Sequence, residues 1–175
     1  MNFLKATQNK VASMISDDTQ SIKWNVDAAF SVHKYFKNHT GATLSLGKGI
    51  ICSMSTKQKV NTGCSTEAEL VGVHDIISKV FWTKLFIETQ GHKVTSNVIY
   101  HDNTSALKLE ENGKASSGKC TQHFNIKYFY ISDLIERKKV QIKYCPVDAM
   151  IADYMTKPLA GTNFIHFREQ IMNSN

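Results

Sequence analysis

Four acidic residues lie at the ends of predicted secondary-structure elements, where side chains from distant parts of a chain commonly meet. Asp27 lies within an alternating segment predicted to be a strand, and Asp102 ends a second, hydrophobic strand. Glu69 lies near the start of a predicted long helix, and Asp153 lies in a helix that follows the last predicted strand. In α/β sheets, the ends of the strands and the starts of the helices often border one cleft. The sequence therefore predicts that these four carboxylates share a cleft.

A cleft that contains four carboxylates is electrostatically unfavourable, because like charges a few ångströms apart resist ionisation. Divalent cations remove that repulsion, and Mg²⁺ prefers hard oxygen ligands. Two such ions about 3.5–4 Å apart can bind the attacking and leaving oxygens when a phosphodiester is cleaved. The four carboxylates are therefore compatible with metal-dependent cleavage of a phosphodiester.

Each carboxylate also has a structural alternative that the residue spacing leaves open. Glu69 ends a T-x-x-E capping box, and Asp102 can cap the helix that follows it. Asp153 and Lys157 have the i,i+4 spacing of a helical ion pair. Asp27 can lie on the solvated face of its strand. Composition and spacing alone therefore do not decide between a metal site and four separate structural roles.

The composition of the 175-residue chain is that of a basic globular protein. Hydrophobic residues make up 42% and charged residues 21%, a balance that argues against disorder. The net charge of +6 and the pI near 9.1 favour a polyanionic partner such as nucleic acid. No segment approaches the roughly 18 apolar residues that a membrane helix needs, and the N-terminus lacks a signal-peptide core. We therefore expect a soluble, intracellular protein.

The spacing of hydrophobic residues predicts one α/β domain with a mixed sheet. Alternation with period two predicts strands, and recurrence at three and four residues predicts helices. Strands followed by alternating helices and strands are typical of a mixed sheet with helices packed on it. The predicted strands span 21–30, 41–47, 48–55, 96–102 and 139–145, and the predicted helices span 66–89, 103–112, 122–137, 148–157 and 164–172.

The same pattern suggests how the chain is organised around that sheet. The second and third strands form a hairpin joined at Gly47-Lys48-Gly49, and a polar, basic loop spans 55–66. We expect a leader at 1–20, the main domain at 21–161 and a helical extension at 162–175.

A set of motifs extends from about residue 21 to residue 172. The chain contains, in this order, WNVDAAF, HTGATLSLGKG, STKQKVNTGCSTEAEL, IYHDNTSALKL, QHFNIKYFYISDLI and YCPVDAMIADYMTKPL. Together these motifs resemble the ribonuclease H domain of copia-type LTR retrotransposon polyproteins, although each is weak alone. The resemblance implies a ribonuclease H-like α/β fold with a five-stranded mixed sheet. It also implies endonucleolytic cleavage of the RNA strand of an RNA–DNA hybrid with two Mg²⁺ or Mn²⁺ ions.

The resemblance also implies which residues form the site. The carboxylates of the family occur in the order Asp, Glu, Asp, Asp, which carries over to Asp27, Glu69, Asp102 and Asp153 as catalytic and metal-binding residues. One ion would be held by Asp27 and Asp153, and the other by Asp27, Glu69 and Asp102. Glu67 is the near alternative to Glu69, and we prefer Glu69 because it borders the apolar side of the helix.

Further residues near these carboxylates are expected to contact nucleic acid. Lysines in the polar loop would neutralise phosphates, and hydroxyl or amide side chains beside the carboxylates would bind the hybrid backbone. These residues are Lys57, Lys59, Ser65, Thr66, Asn103 and Ser105.

The chain departs from the family pattern at two places. The family usually has an acidic residue after the histidine where this chain has His123-Phe124-Asn125, and the loop Pro146-Val147-Asp148 lacks the histidine of cellular enzymes of this fold. The alternative function is therefore a decayed or co-opted remnant that binds nucleic acid or protein without catalysis.

The resemblance implies partners and a location as well. The expected partners are an RNA–DNA hybrid and the reverse transcriptase domain of the same polyprotein, with no membrane. The expected location is the cytoplasm, within a virus-like particle if the parent element is active.

Overall fold

A computed structural model of the chain describes residues 13, 15–16, 18–112 and 125–173. Most of the predicted leader 1–20 and the start of the predicted helix 122–137, including His123, lie outside the described residues. The domain boundaries therefore stay a prediction.

A five-stranded mixed sheet forms the centre of the described structure, as the sequence predicts. The strands are β1 (Ile15–Ser16), β2 (Ser21–Ala29), β3 (His39–Ser45), β4 (Gly47–Lys48), β5 (Cys52–Lys57), β6 (Ser96–His101) and β7 (Gln141–Tyr144). The order in the sheet is β5-β3-β2-β6-β7, and β1 pairs separately with β4. Strands β2, β3 and β5 are antiparallel neighbours, whereas β6 and β7 continue the sheet in parallel with β2.

Helices pack on this sheet and bury its apolar residues. The described helices are α1 (Ser65–Thr89), α2 (Thr104–Asn112), α3 (Asn125–Glu136), α4 (Asp153–Thr156) and α5 (Gly161–Met172). Alternate residues of β2, including Trp24 and Val26, form one core cluster with Val73, Ile76 and Val80 of α1. The i, i+3, i+4 pattern that predicts α1 is therefore the pattern that covers the sheet.

Several predicted element bounds are wrong. The predicted strand 48–55 is divided, because Gly47–Lys48, the predicted hairpin joint, forms β4 and pairs with β1, whereas β5 begins at Cys52. The predicted helix 148–157 is instead a 3-10 turn at Val147–Ala149 followed by α4. The break falls at Met150, which leaves the helical conformation with ψ 88° and whose buried side chain packs with Cys145 and Ala152. The predicted loop 55–66 begins later, because β5 pairs with β3 as far as Lys57.

The end of β2 that carries Asp27 is covered on both faces. Burial alternates along this strand up to Asn25, and every residue from Val26 to Ala29 is buried. Because side chains alternate between the two faces of a strand, the change means that a second element covers the face that Asp27 shares with Asn25. That element is α4, which contacts β2, β3 and β5.

The close approach of α4 depends on Gly41 in β3. Gly41 pairs directly with Asp27 across the two strands. A Cβ atom at this position would lie 2.6 Å from Thr156 Cγ2, 2.8 Å from Met155 Cβ and 2.9 Å from the Ala152 carbonyl oxygen. These distances are shorter than van der Waals contact, so only glycine lets α4 lie against the strand beside Asp27.

We predict that Gly41→Ala destabilises the protein by about 1–3 kcal/mol, the usual cost of overpacking a buried contact. The added methyl group must push α4 away from β3. Urea unfolding followed by circular dichroism measures the change in the free energy of unfolding.

Gly72→Ala is the matched control, because a Cβ at Gly72 would meet its neighbours at ordinary distances of 3.5–3.7 Å. Gly72 lies inside α1, where alanine is favoured over glycine by about 1 kcal/mol. We therefore expect this variant to be as stable as the wild type or more stable. Equal destabilisation by both substitutions would contradict the role given to Gly41.

Candidate active site

Three of the four predicted carboxylates meet at one end of the sheet. One carboxylate oxygen from each of Asp27, Glu69 and Asp102 lies within 4.8 Å of the other two. The parallel register of β2 and β6 pairs Asn25 with Tyr100, so Asp27 and Asp102 each follow two residues later on neighbouring strands. Glu69 reaches the same point from the first turns of α1, and Ala28 of β2 gives it a backbone hydrogen bond. We call these three residues, together with Asp153, the carboxylate cluster.

Asp153 joins the carboxylate cluster through Lys157 rather than through the three-oxygen group. Lys157 Nζ lies 2.7 Å from Asp153 Oδ1 and 3.4 Å from Asp27 Oδ1. The hydroxyl of Thr156 donates a hydrogen bond to the other oxygen of Asp27, Oδ2. Helix α4 therefore supplies one carboxylate and one hydroxyl group to this end of the sheet, and the residue that follows it supplies one ammonium group.

Burial and mutual repulsion shift the acidity of the cluster. Burial, together with the charges of Asp27 and Asp102, raises the pKa of Glu69 well above its usual value. Burial and the charge of Asp27 also raise the pKa of Asp102. Burial raises the pKa of Asp153 to about 6, although the hydrogen bond from Lys157 opposes this change. The carboxyl groups of the cluster therefore release their protons at a higher pH than isolated carboxyl groups would.

The donor set fits a hard divalent cation. All the acidic groups offer carboxylate oxygens, which Mg²⁺ and Mn²⁺ accept as ligands. Within the described part of the chain, Glu69 Oε2 is buried and has no hydrogen-bond partner. A buried acceptor without a partner is costly, and a cation bound there would satisfy it. Asp27, Glu69, Asp102 and Asp153 are thus the residues that would hold such ions.

Three of the four structural alternatives for the carboxylates are wrong, and the helical ion pair of Asp153 with Lys157 is confirmed. Asp27 is 2% exposed and therefore does not lie on a solvated face. The N-cap of α1 is Cys64 and makes no side-chain cap, so Glu69 does not belong to a capping box. The N-cap contact of α2 comes from Asn103, whose Oδ1 accepts hydrogen bonds from the backbone of Ser105 and Ala106, each at 3.0 Å. Asp102 is therefore not needed as a cap and faces the cluster.

Glu67 has a local structural contact. Its Oε2 accepts a 2.6 Å hydrogen bond from the backbone of Gly63, which closes the loop before α1. Glu67 lies outside the three-oxygen group that contains Glu69. The geometry is consistent with the preference for Glu69.

The residues predicted to contact nucleic acid lie around this end of the sheet. Lys57 and Lys59 are exposed, and Lys57 pairs with His39 two residues before the Gly41 that faces Asp27. Since neighbouring strands lie about 4.8 Å apart, edge strand β5 runs roughly 10 Å from β2. The hydroxyl-bearing residues are at the starts of helices: Ser65 and Ser105 are exposed, and Thr66 is partly buried. Asn103 is occupied as the cap of α2. Nothing in the structure tests their contact with nucleic acid, which stays a prediction.

A buried polar network that the sequence analysis missed fixes the loop before α1. Gln58 Nε2 donates to Thr40 Oγ1 at 3.0 Å and to the carbonyl of Ala68 at 2.8 Å. Asn38 Nδ2 donates to Gln58 Oε1 at 3.1 Å and to Thr62 Oγ1 at 2.9 Å. The network ties the residue before Glu69 to strand β3. The loop is polar in sequence, so nothing distinguishes its buried glutamine from its exposed neighbours.

A buried pair of polar side chains includes His101, the residue that precedes Asp102 in the chain. His101 Nε2 lies 2.9 Å from Glu110 Oε2, and both side chains have no exposed surface. Burial raises the pKa of Glu110, against the opposing effect of the hydrogen bond with His101. The pair joins the end of β6 to α2 and so holds both segments that flank Asp102.

Comparison with known proteins identifies retrotransposon relatives. No protein-family model matches the chain. Over 173 residues, 98% of the chain, it is 28% identical to the retrovirus-related Pol polyprotein from transposon RE1 of Arabidopsis thaliana. Over 138 residues it is 23% identical to the transposon Ty1-NL2 Gag-Pol polyprotein of Saccharomyces cerevisiae. The chain spans only 12% and 8% of the lengths of these polyproteins.

Solved structures establish the fold. LC11-RNase H1, isolated from compost by a metagenomic approach, superposes with a TM-score of 0.58 at 14% identity, over 78% of this chain and 92% of that one. The same protein in complex with an RNA/DNA hybrid gives a TM-score of 0.55 at 12% identity, over 77% and 93% of the two chains. The homologues are thus retrotransposon Pol polyproteins and the fold is that of ribonuclease H, as the motifs predict. Among the described helices, none is long and apolar enough to cross a membrane.

The raised pKa of Asp153 predicts a pH dependence of stability in the metal-free protein. Asp153 binds its proton more tightly in the folded state than in the unfolded chain. Protonated Asp153 therefore contributes fully to the free energy of unfolding below about pH 4, and this contribution is lost as the pH rises through 6. Asp153→Asn has no ionisable group at this position, so its stability does not fall in this way as the pH rises. We expect its melting temperature in EDTA to exceed that of the wild type by about 2–4 °C at pH 7.5 and the difference to shrink below pH 6.

Differential scanning fluorimetry between pH 4.5 and 8 measures this difference. Asp133→Asn is the matched control, because Asp133 forms its ion pair with Arg137 on the solvated surface of α3. The melting temperature of Asp133→Asn should differ from that of the wild type by the same amount at every pH in this range. A constant offset for Asp153→Asn at every pH would disagree with the shifted acidity.

Proposed function

We propose that this chain is the ribonuclease H domain of a copia-type retrotransposon Pol polyprotein and cleaves the RNA strand of RNA–DNA hybrids with two divalent metal ions. The observation that carries the proposal is the meeting of Asp27, Glu69 and Asp102 oxygens within 4.8 Å at the end of two parallel strands. Asp153 lies beside them across Lys157. The retrotransposon relatives and the ribonuclease H fold support the same activity.

The carboxylates divide between two cation positions in this proposal. Asp27 and Asp153 hold one Mg²⁺ or Mn²⁺ ion, and Asp27, Glu69 and Asp102 hold the other. When bound, such ions supply a water of lowered pKa and stabilise the charge that develops on the leaving 3′ oxygen. The chain itself keeps the carboxylates buried and aligned, through the pairing of β2 with β6, the start of α1 and the docking of α4 on Gly41.

The basic and hydroxyl-bearing residues around the cluster bind the hybrid. Lys57 and Lys59 neutralise phosphates, while Ser65 and Thr66 present hydroxyls and free backbone N–H groups at the start of α1. Asn103 and Ser105 lie beside Asp102. Recognition of this kind depends on groove shape and 2′-hydroxyl groups rather than on base edges, so sequence preference is weak. The solved LC11-RNase H1 complex, which contains an RNA/DNA hybrid, supports the choice of ligand.

The Pol relatives suggest the setting in which the domain works. The chain corresponds to roughly a tenth of each polyprotein, so the reverse transcriptase domain of the same polyprotein is the proposed partner. The proposed location is the cytoplasm, within a virus-like particle if the parent element is active.

We predict that Asp102→Asn lowers cleavage of an RNA–DNA hybrid by at least about 100-fold in Mg²⁺ or Mn²⁺, because the cluster loses a charged ligand. Glu69→Gln should cause a comparable loss. A hybrid labelled on the 5′ end of its RNA strand, resolved by denaturing gel, measures the rate. Products should carry 5′-phosphate and 3′-hydroxyl ends.

Glu67→Gln is the matched control for Glu69→Gln, since the two residues lie two positions apart in the same helix and only Glu69 belongs to the three-oxygen group. Its cleavage rate should stay close to that of the wild type. Binding of the hybrid by the wild type without cleavage at any metal concentration would instead support the co-opted remnant.

We also predict that Lys57→Ala and Lys59→Ala each reduce the salt dependence of hybrid binding. Loss of one phosphate contact reduces the magnitude of the slope of log K against log salt concentration by about 0.7–0.9. It also weakens binding to hybrids of every base sequence to the same extent. Fluorescence anisotropy in the Asp102→Asn background measures binding without cleavage. Lys93→Ala, an exposed lysine beyond the far end of α1, is the control and should leave the slope unchanged.

A further inference from the structure

A lysine from the chain itself lies inside the carboxylate cluster. Lys157 Nζ bridges Asp153 Oδ1 at 2.7 Å and Asp27 Oδ1 at 3.4 Å. The side chains of these aspartates are only 8% and 2% exposed, whereas that of Lys157 is 39% exposed. The ammonium group is therefore in contact with two buried carboxylates, although the side chain as a whole is partly exposed to solvent.

The local sequence places Lys157 in this position. Pro158 disfavours the helical conformation at the residue before it, and Lys157 accordingly leaves α4 with φ −123° and ψ 142°. Its backbone N–H still donates a 2.9 Å hydrogen bond to the Asp153 carbonyl. The side chain therefore turns back over Asp153 instead of continuing along the helix surface.

The ammonium group is held in its charged form. An ordinary lysine side chain has a pKa far above neutral pH, and the two carboxylates in contact with Lys157 Nζ favour its ammonium form. The lysine is consequently a permanent cation next to the oxygens to which the proposed function assigns a divalent ion.

We propose that Lys157 is an internal counter-ion of the metal-free site, which occupies the position between Asp27 and Asp153 and must be displaced when a divalent cation binds there. This inference rests on the proposed function, because it concerns the same ion position. Lys157 thus stabilises the carboxylate cluster when no metal is bound and weakens its affinity for metal.

Lys157 would have to be displaced because it contacts the same carboxylate oxygens that a divalent ion would need. Thr156 engages Asp27 Oδ2 and Lys157 engages Asp27 Oδ1, so the metal-free contacts already involve both oxygens of this carboxylate. A divalent ion bound between Asp27 and Asp153 would compete for these oxygens and repel the ammonium at close range. Because the side chain of Lys157 is partly exposed, it can move outward into solvent when it is displaced.

Binding of Mn²⁺ to the metal-free protein tests the proposal without a cleavage assay. Electron paramagnetic resonance of free Mn²⁺ gives the affinity for the wild type, Lys157→Met, Lys157→Gln and Lys157→Arg. We expect Lys157→Met and Lys157→Gln to bind Mn²⁺ about tenfold more tightly, since a competing charge has been removed. Lys157→Arg keeps the charge, and its affinity should stay within about twofold of the wild type.

Melting temperatures in EDTA provide the second readout. Lys157→Met should melt about 2–4 °C lower than the wild type in EDTA and recover more than the wild type when Mn²⁺ is added. Lys157→Gln keeps a hydrogen-bond donor for Asp153 and remains testable if the methionine variant does not fold. Lys93→Met removes the same charge from a distant surface and should leave Mn²⁺ affinity unchanged.

The outcomes separate this inference from the proposed function. Equal or weaker Mn²⁺ affinity in both uncharged variants, with binding by the wild type intact, overturns the counter-ion role alone. A tenfold gain that Lys93→Met shares is a general charge effect and overturns it as well. Absence of Mn²⁺ binding by every variant at millimolar concentration overturns both the counter-ion role and the metal-dependent function.

Discussion

The concentration of negative charge at one end of the sheet is the constraint on which the described structure depends. Asp27, Glu69 and Asp102 bring oxygens within 4.8 Å of one another in a largely buried setting, and Asp153 lies beside them. Such a cluster persists only if protons, hydrogen bonds or cations offset the repulsion. The described contacts include a hydrogen bond from the Thr156 hydroxyl and an ion pair with the Lys157 ammonium, and the raised pKa of Glu69 makes protonation easier there.

The fold positions this charge through a few contacts that involve little of the hydrophobic core. Parallel pairing of β2 with β6 sets Asp27 beside Asp102, and Gly41 admits α4 against the neighbouring strand. The buried network around Gln58 fixes the segment that leads into α1 and therefore the position of Glu69. Much of this part of the molecule is polar and buried, which makes its contacts more specific than those between apolar side chains.

The sequence predicted the order of the strands and long helices because hydrophobic periodicity records which side of each element faces the core. The pattern around Val73 and Ile76 predicts α1 almost to its ends. The same reasoning failed at 148–157, where the burial of one residue, Met150, divides the segment in a way that periodicity does not reveal.

The candidate site was predictable to a similar extent, and for related reasons. The four carboxylates could be predicted from their positions at the ends of secondary-structure elements and from the resemblance of the motifs to a known family. Lys157 was assigned only to a helical ion pair with Asp153, because its contact with Asp27 spans 130 positions of the chain and depends on tertiary packing. Gln58 gave no signal because a glutamine in a polar loop is ordinarily exposed.

The buried pair formed by His101 and Glu110 constrains how the chain can vary. Loss of either partner leaves an uncompensated polar group with no access to water, whereas joint replacement by apolar residues of similar volume is often tolerated. A single replacement at either position should therefore destabilise the protein more than a joint replacement of both residues. Because His101 directly precedes Asp102, the same contact that stabilises the interior also fixes the backbone from which an acidic ligand projects.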